Sequence, residues 1–180
     1  FGPLLLWGID ELATYHYLVA ELFRARPDLA PDAFWAMAKP DQADLIWQEL
    51  FRRRSPVSEA CRGVLTVLAR LGLDPNTDSL APLRAWFRNQ TPRAYIDTVF
   101  RLSHVRKLYM TNDPFDPVER AVWEKGFDRD PRFEAVLRLD SALMNWPDPV
   151  PGLQALGYEV EPALSGRTLA EIRRYLKAWA

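Results

Sequence analysis

Three places in this 180-residue chain combine residue types that could do chemistry. The first is "GIDELATYHYL" at residues 8 to 18, where His16, one of two histidines, stands between Tyr15 and Tyr17. Imidazole titrates near neutral pH and a phenol can give or take a proton, so the trio has the parts for acid-base work. The second is "TNDPFD" at 111 to 116, which follows a short β-prone run. Residues at the carboxyl ends of parallel strands line the ligand crevice of open α/β sheets and the active-site face of barrels. Asp113 falls there, yet Asn-Asp-Pro is also ordinary turn chemistry, so Asp113 reads either as a site carboxylate or as a turn former and helix cap. The third is Arg138 in "AVLRLD", a cation inside an apolar run. A buried guanidinium needs a carboxylate. Asp113 and Asp140 are the candidates within the chain, and a ligand carboxylate would fit the planar fork as well.

Other chemistries lack their residues. His16, His104 and Cys61 are not spaced as a metal-ligand set. No glycine-rich phosphate loop, nucleophile elbow or Cys-His pairing is present. A net charge of −1 gives no basic footprint for nucleic acid, and no apolar stretch approaches the roughly 20 residues of a membrane span. The single cysteine excludes an internal disulfide framework and suits a reducing compartment, so a cytoplasmic protein is expected. "FRRRS" at 51 to 55 reads as a solvated charge run at a helix end. The chain opens without methionine in an apolar run, as a piece of something longer would.

The elements that must position these residues follow from punctuation and period. One helix is predicted over about 9 to 25, stopping before Pro27. On a helical wheel Leu12, Tyr15, Val19, Leu22 and Phe23 share an apolar face with His16 inside its edge, while Tyr17 joins Asp10, Thr14, Glu21 and Arg24 on a polar stripe. Tyr15 is then a core aromatic, His16 a partly buried imidazole and Tyr17 a phenol in a polar setting. Helices are also predicted near 31 to 38 and 41 to 53, and in "SPVSEACRGVLTVLARLG" with Ser55 as N-cap and Gly72 as left-handed C-terminal residue. "LAPLRAWFRNQ" and "TPRAYIDTVFRL" give two more. Beyond residue 104 the pattern becomes strand (105 to 111), helix, strand (132 to 140), the βαβ unit of a parallel sheet. A short helix to Gly157 and a last helix with Thr168 and Glu171 as capping box complete the chain.

The fold class is therefore mainly α with a βαβ portion: a helical region over 1–104, and a βαβ segment with following helices over 105–180. Two parallel strands do not close a sheet by themselves. A (β/α)₈ barrel takes about 250 residues, so the chain could supply a helical insertion plus a partial arc of such a TIM barrel.

The stretches "LLWGIDELATYHYLVAELFR", "AFWAMAKPDQADLIWQELFRRRSPVSEACRGVLTVLARLGLDP", "YMTNDPFD" and "RFEAVLRLD" resemble a uronate (glucuronate) isomerase of the amidohydrolase superfamily, in the form found in Bacillus. The resemblance covers essentially the whole chain, in order. It implies a metal-dependent barrel that interconverts D-glucuronate with D-fructuronate and D-galacturonate with D-tagaturonate, by proton transfer between C2 and C1 through an enediol. By the same resemblance Tyr17 is the active-site tyrosine, and His16 and Arg138 touch the hexuronate sugar acid. Asp113, at its strand end, completes the expected substrate contacts. The resemblance also implies a divalent metal, zinc being the expected ion, in the complete enzyme. The family's His-x-His and late aspartate ligands are absent here, so the chain is expected to be an internal segment, inactive alone, whose partner is the remainder of the barrel. A homo-oligomer is compatible with this. The alternative is a non-catalytic helical interaction module derived from the same family.

Overall fold

The computed structural model describes residues 7–126 and 130–179. The chain divides into two compact units, one reaching to Ser103 and the other running from His104 to the end.

The first unit is helical: α1 (Ile9–Ala13), α2 (His16–Ala25), α3 (Pro31–Trp35), α4 (Lys39–Ile46), α5 (Glu59–Arg70), α6 (Ala81–Arg88) and α7 (Pro92–Ser103), with α4 continuing as a π-helical turn over Trp47–Arg52. The expected single helix over 9 to 25 is thus two helices. Its break is forced by the apolar pattern. α1 buries Ile9 and Ala13, whereas α2 buries Leu18, Val19 and Leu22. At about 100° per residue, Leu18 would lie about half a turn from Ile9 on a straight helix. A break between them lets both sets enter one core.

Thr14 carries the break locally. Its backbone N–H and its Oγ1 both donate to Asp10 O, at 3.0 and 2.7 Å, and its ψ of 20 departs from the helix. A hydroxyl that bonds back to the preceding turn competes with the helical ladder. Tyr15 follows with an extended ψ of 139, and its carbonyl accepts from Leu18 N and Val19 N to start α2.

The core of this unit gathers around Trp47, Phe34, Leu22, Ile46 and Leu68, all at most 1% exposed. Trp47 stacks on Phe51, with ring centroids 4.6 Å apart, and donates its indole N–H to Thr77 O at 3.1 Å. Burial of this indole is tolerated because its one donor is satisfied.

The N-cap of α5 is Ser58 rather than Ser55: its Oγ accepts from Cys61 N at 3.1 Å. At the other end Gly72, with φ 74, allows Leu73 N to donate to Leu68 O and Gly72 N to Ala69 O, the paired bonds of a Schellman cap. In "FRRRS" Phe51 is buried, and the three arginines are exposed but not merely solvated. Arg52 pairs with Asp78, Arg53 reaches the buried Glu49 at 2.5 Å, and Arg54 donates to Ala25 O at 2.9 Å.

The second unit contains β1 (Leu108–Asn112), α8 (Pro117–Glu124), β2 (Phe133–Leu137), α9 (Asp140–Met144), α10 (Val150–Ala155) and α11 (Gly166–Lys177). β1 and β2 pair in parallel, with Leu108 opposite Phe133 and Asn112 opposite Leu137. The crossover carries α8, whose N-cap is Asp116: its carboxylate accepts from Val118 N and Glu119 N at 2.7 and 3.0 Å, with Pro117 at the first helical position.

A separate core joins Trp146, Val150, Leu153, Val160 and Tyr175. The cap of α11 is Ser165, whose Oγ accepts from Thr168 N at 3.2 Å. Thr168 is buried and accepts from Glu161 N, while Glu171 accepts from Glu159 N, so neither forms the expected capping box. Among the described residues no helix is long and apolar enough to cross a membrane.

Trp47 is large, fully buried and tied to the 77–78 loop. Trp47→Ala is expected to lower stability by about 3–5 kcal/mol in urea unfolding followed by far-ultraviolet circular dichroism.

Candidate functional site

In the first unit the break between α1 and α2 sets Tyr15, His16 and Tyr17 at the start of α2. Their rings cluster, with centroids 4.3 Å apart for Tyr15 and His16, 4.2 Å for His16 and Tyr17, and 5.3 Å for the two tyrosines. All three are exposed, Tyr15 by 50% and Tyr17 by 59%. Tyr15 is therefore not a core aromatic, nor is His16 partly buried. The wheel assumed one unbroken helix, and the break resets its phase. Tyr17 does meet the polar environment expected of it.

The helix that leads into this cluster, α1, is held by ion pairs. Arg84 on α6 donates Nε to Asp10 Oδ1 at 2.8 Å, Nη1 to Asp44 Oδ2 at 3.1 Å and Nη2 to Pro40 O at 2.9 Å. One planar fork thereby joins α1, α4 and α6, a use for which arginine's fixed donors suit it. Lys39 Nζ adds a contact to Thr14 Oγ1 at 3.4 Å, at the break itself. The cluster offers aromatic faces edged by two phenols and an imidazole, which can hold a polar ring and exchange protons with it.

In the second unit Asp113 and Arg138 sit just past the ends of the paired strands. Arg138 N donates to Asn112 O at 2.7 Å, extending the ladder by one bond. Its guanidinium is not buried as the apolar run suggested. The side chain is 56% exposed, and Nε donates to Asp140 Oδ2 at 2.5 Å. β2 ends at Leu137, and both strands keep exposed residues, so an apolar sequence here does not mean a covered strand. The hydrogen bond to Asp140 raises the Arg138 pKa, and the negative charges of Asp140, Asp113 and Glu119 act in the same direction.

Asp113 is a turn carboxylate, but it is not the helix cap. Its Oδ1 accepts from Phe115 N at 2.9 Å, and Ser141 Oγ donates to both carboxylate oxygens, at 2.9 Å and 3.2 Å. Its own N–H donates to Glu119 Oε2 at 2.9 Å. Next to it, Pro114 O accepts from the buried Tyr175 hydroxyl. A shallow cleft of about 30 Å³ opens beside these residues, lined by Asn112, Asp113, Pro114, Arg120 and Trp123 among others; Arg138 is not part of its wall.

Asp140 is thus the partner of Arg138 that the sequence offered beside Asp113, while Glu119, Ser141 and Tyr175 belong to this neighbourhood although sequence reasoning gave them no part in a site. Glu119 and Ser141 had a faint signal, as polar residues in the first turns that follow the two strand ends. Tyr175 had none, because it lies 61 residues from its partner. Asp113 and Arg138 are brought together here, as are His16 and Tyr17 in their own unit. Among the described residues no group of three or more His, Cys, Asp or Glu side chains is arranged to hold a metal ion. The residues present therefore do not fit the divalent metal that the resemblance implies.

These features define a class: a mainly helical chain with a parallel βαβ element whose candidate ligand residues stand at the carboxyl ends of strands. The particular likeness is to a solved structure, a uronate isomerase from Bacillus halodurans C-125, with 50% sequence identity and a TM-score of 0.93. The match covers 99% of this chain and 42% of that one, so the chain spans less than half the length of the protein it resembles. No family model and no curated protein matches it.

Exposure separates the tyrosines. Tetranitromethane is expected to nitrate Tyr15 and Tyr17 well before Tyr175, which is 2% exposed, as read by mass spectrometry of tryptic peptides.

Proposed function

We propose that this chain acts as part of a uronate isomerase, interconverting D-glucuronate with D-fructuronate and D-galacturonate with D-tagaturonate. The observation that carries the reading is the 50% identity sustained over 99% of the chain, together with the matching backbone. On this reading the helical unit is an insertion and the βαβ element is an arc of a (β/α)₈ barrel whose remainder is its partner.

The chemistry is an intramolecular redox exchange. A proton leaves C2 of the open-chain aldose as the C1 carbonyl becomes an enediol hydroxyl. Return of a proton to C1, with loss of the proton on the C2 oxygen, yields the ketose. Such a transfer needs a group that can hold and release a proton near the reacting carbons. Tyr17 takes this role, with His16 contacting substrate beside it. Arg138 receives the sugar-acid carboxylate on its exposed guanidinium, for which a planar fork is well suited. Asp113 stands near Arg138 within the same unit.

The family's divalent metal belongs to the complete enzyme, and no step is routed through it here. The 180-residue chain by itself is then inactive, in a cytoplasmic setting that its single, buried, free cysteine supports. A second reading, a non-catalytic helical interaction module, draws on the self-contained core of the first unit.

The test uses the complete reading frame that carries this sequence, in a coupled assay on glucuronate. Tyr17→Phe should lower kcat about 100-fold, as loss of a proton-transfer group does. Arg138→Met should raise KM about tenfold or more, since a charge-assisted bond to substrate is removed. Unchanged turnover and affinity in both variants would overturn the roles given to Tyr17 and Arg138, and absence of turnover by the complete wild-type frame would favour the module.

A further inference from the structure

We infer that Asp113 is a positioning residue for Arg138, acting through Ser141 and Asp140, and that it does not itself contact the sugar acid. The inference rests on the isomerase reading, because it explains how an exposed arginine is kept ready for a substrate carboxylate.

The argument starts from the strand ends. Asn112 and Leu137 are paired across the ladder, and Arg138 N donates to Asn112 O, so the two chains leave the sheet side by side. What they do next is set by side chains. Asp113 turns the first loop through its bond to Phe115 N, and that loop is held from behind by Glu119 on Asp113 N and by the Tyr175 hydroxyl on Pro114 O. From this fixed point the Asp113 carboxylate reaches the second loop. Ser141 Oγ donates to it at 2.9 Å, which anchors the first turn of α9. Asp140 is the neighbour of Ser141 in that same turn, and its Oδ2 takes the Arg138 Nε–H at 2.5 Å.

Each link has a consequence for the next. Both Asp113 oxygens already accept bonds from the protein, so its carboxylate serves the fold. Asp140 occupies the Nε side of the guanidinium, and among the described residues Nη1 and Nη2 have no hydrogen-bond partner. Those two nitrogens present parallel donors, the edge that a carboxylate bridges with two hydrogen bonds. An exposed arginine without such a clamp would spread over many rotamers, and fixing it on binding would weaken the complex. The tie from Asp113 to Ser141 settles in advance where Asp140, and hence the Nη edge, will stand.

The experiment compares variants of the complete enzyme on glucuronate and on its neutral amide, glucuronamide. Ser141→Ala should raise KM for glucuronate about fivefold while kcat stays within about twofold, and should leave KM for the amide unchanged; Asp140→Asn should behave in the same direction. Ser141→Thr, which keeps the hydroxyl, should restore KM. In an Arg138→Met background, Ser141→Ala should add nothing, as expected of residues that act in one chain. A rise in KM for acid and amide alike, a full additional loss in the double variant, or an unchanged KM in Ser141→Ala where Arg138→Met raises it, would each overturn the relay and leave the isomerase reading intact. An unchanged KM in Arg138→Met itself would instead remove the carboxylate grip, and the relay with it.

Discussion

The helical unit depends on one constraint: Ile9 and Ala13 must enter the same core as Leu18 and Leu22, and a straight helix cannot bring them there. The chain resolves this by leaving the helix for two residues at Thr14 and Tyr15. That choice has an electrostatic companion, because a five-residue helix such as α1 has little stability of its own and is instead pinned by Arg84 through Asp10. It also has a chemical outcome. The residues at the restart of the helix, Tyr15 to Tyr17, have no inward direction left to them and gather as an exposed set of rings.

The second unit follows a different logic. Parallel strands are ordinarily covered on both faces, yet Tyr109 is 67% and Val136 45% exposed. Within this chain the strands therefore find little cover. Local hydrogen bonds take over at their ends, where Glu119, Ser141 and the Tyr175 hydroxyl tie the loop of Asp113 and Pro114 to three helices, α8, α9 and α11. The candidate residues of this unit are held by polar geometry, and those of the helical unit by apolar phase with the Arg84 ion pairs beside it.

Much of this was legible in the residues. The helices from Pro31 to Ser103 and the strand-helix-strand order all carry punctuation that the chain obeys, such as Gly72 at the end of α5 and Thr91-Pro92 at the start of α7. Where two serines compete for one helix start, as Ser55 and Ser58 do, sequence cannot say which hydroxyl faces the open N–H. The break at Thr14 was also encoded, in the half-turn between Ile9 and Leu18, but a wheel drawn through Tyr15 and Val19 conceals it. The pairing of Arg138 with Asp140 was among the readings the sequence allowed, though its exposure was not, because an apolar strand does not reveal whether anything covers it. The Asp113 to Ser141 tie joins residues 28 apart, and only the parallel register brings them together.

The π-helical turn at Trp47–Arg52 adds one further consequence. With Arg53 N bonded to Gln48 O, the turn holds an extra residue compared with an α-helix, and it points Trp47, Glu49, Leu50 and Phe51 inward together. In terms of chain length it is an insertion that the fold has come to need. Removing one residue would restore an ordinary helix, and the tighter turn would absorb the loss, because about five residues of a π turn cover the rotation of about four in an α-helix. Everything after it would keep its direction. What would be lost is inside the turn, where Trp47, Glu49, Leu50 and Phe51 could no longer all face inward, and with Glu49 would go the buried partner of Arg26 and Arg53. Loops between these helices can accept changes in length, whereas a residue missing from this stretch is taken from the core.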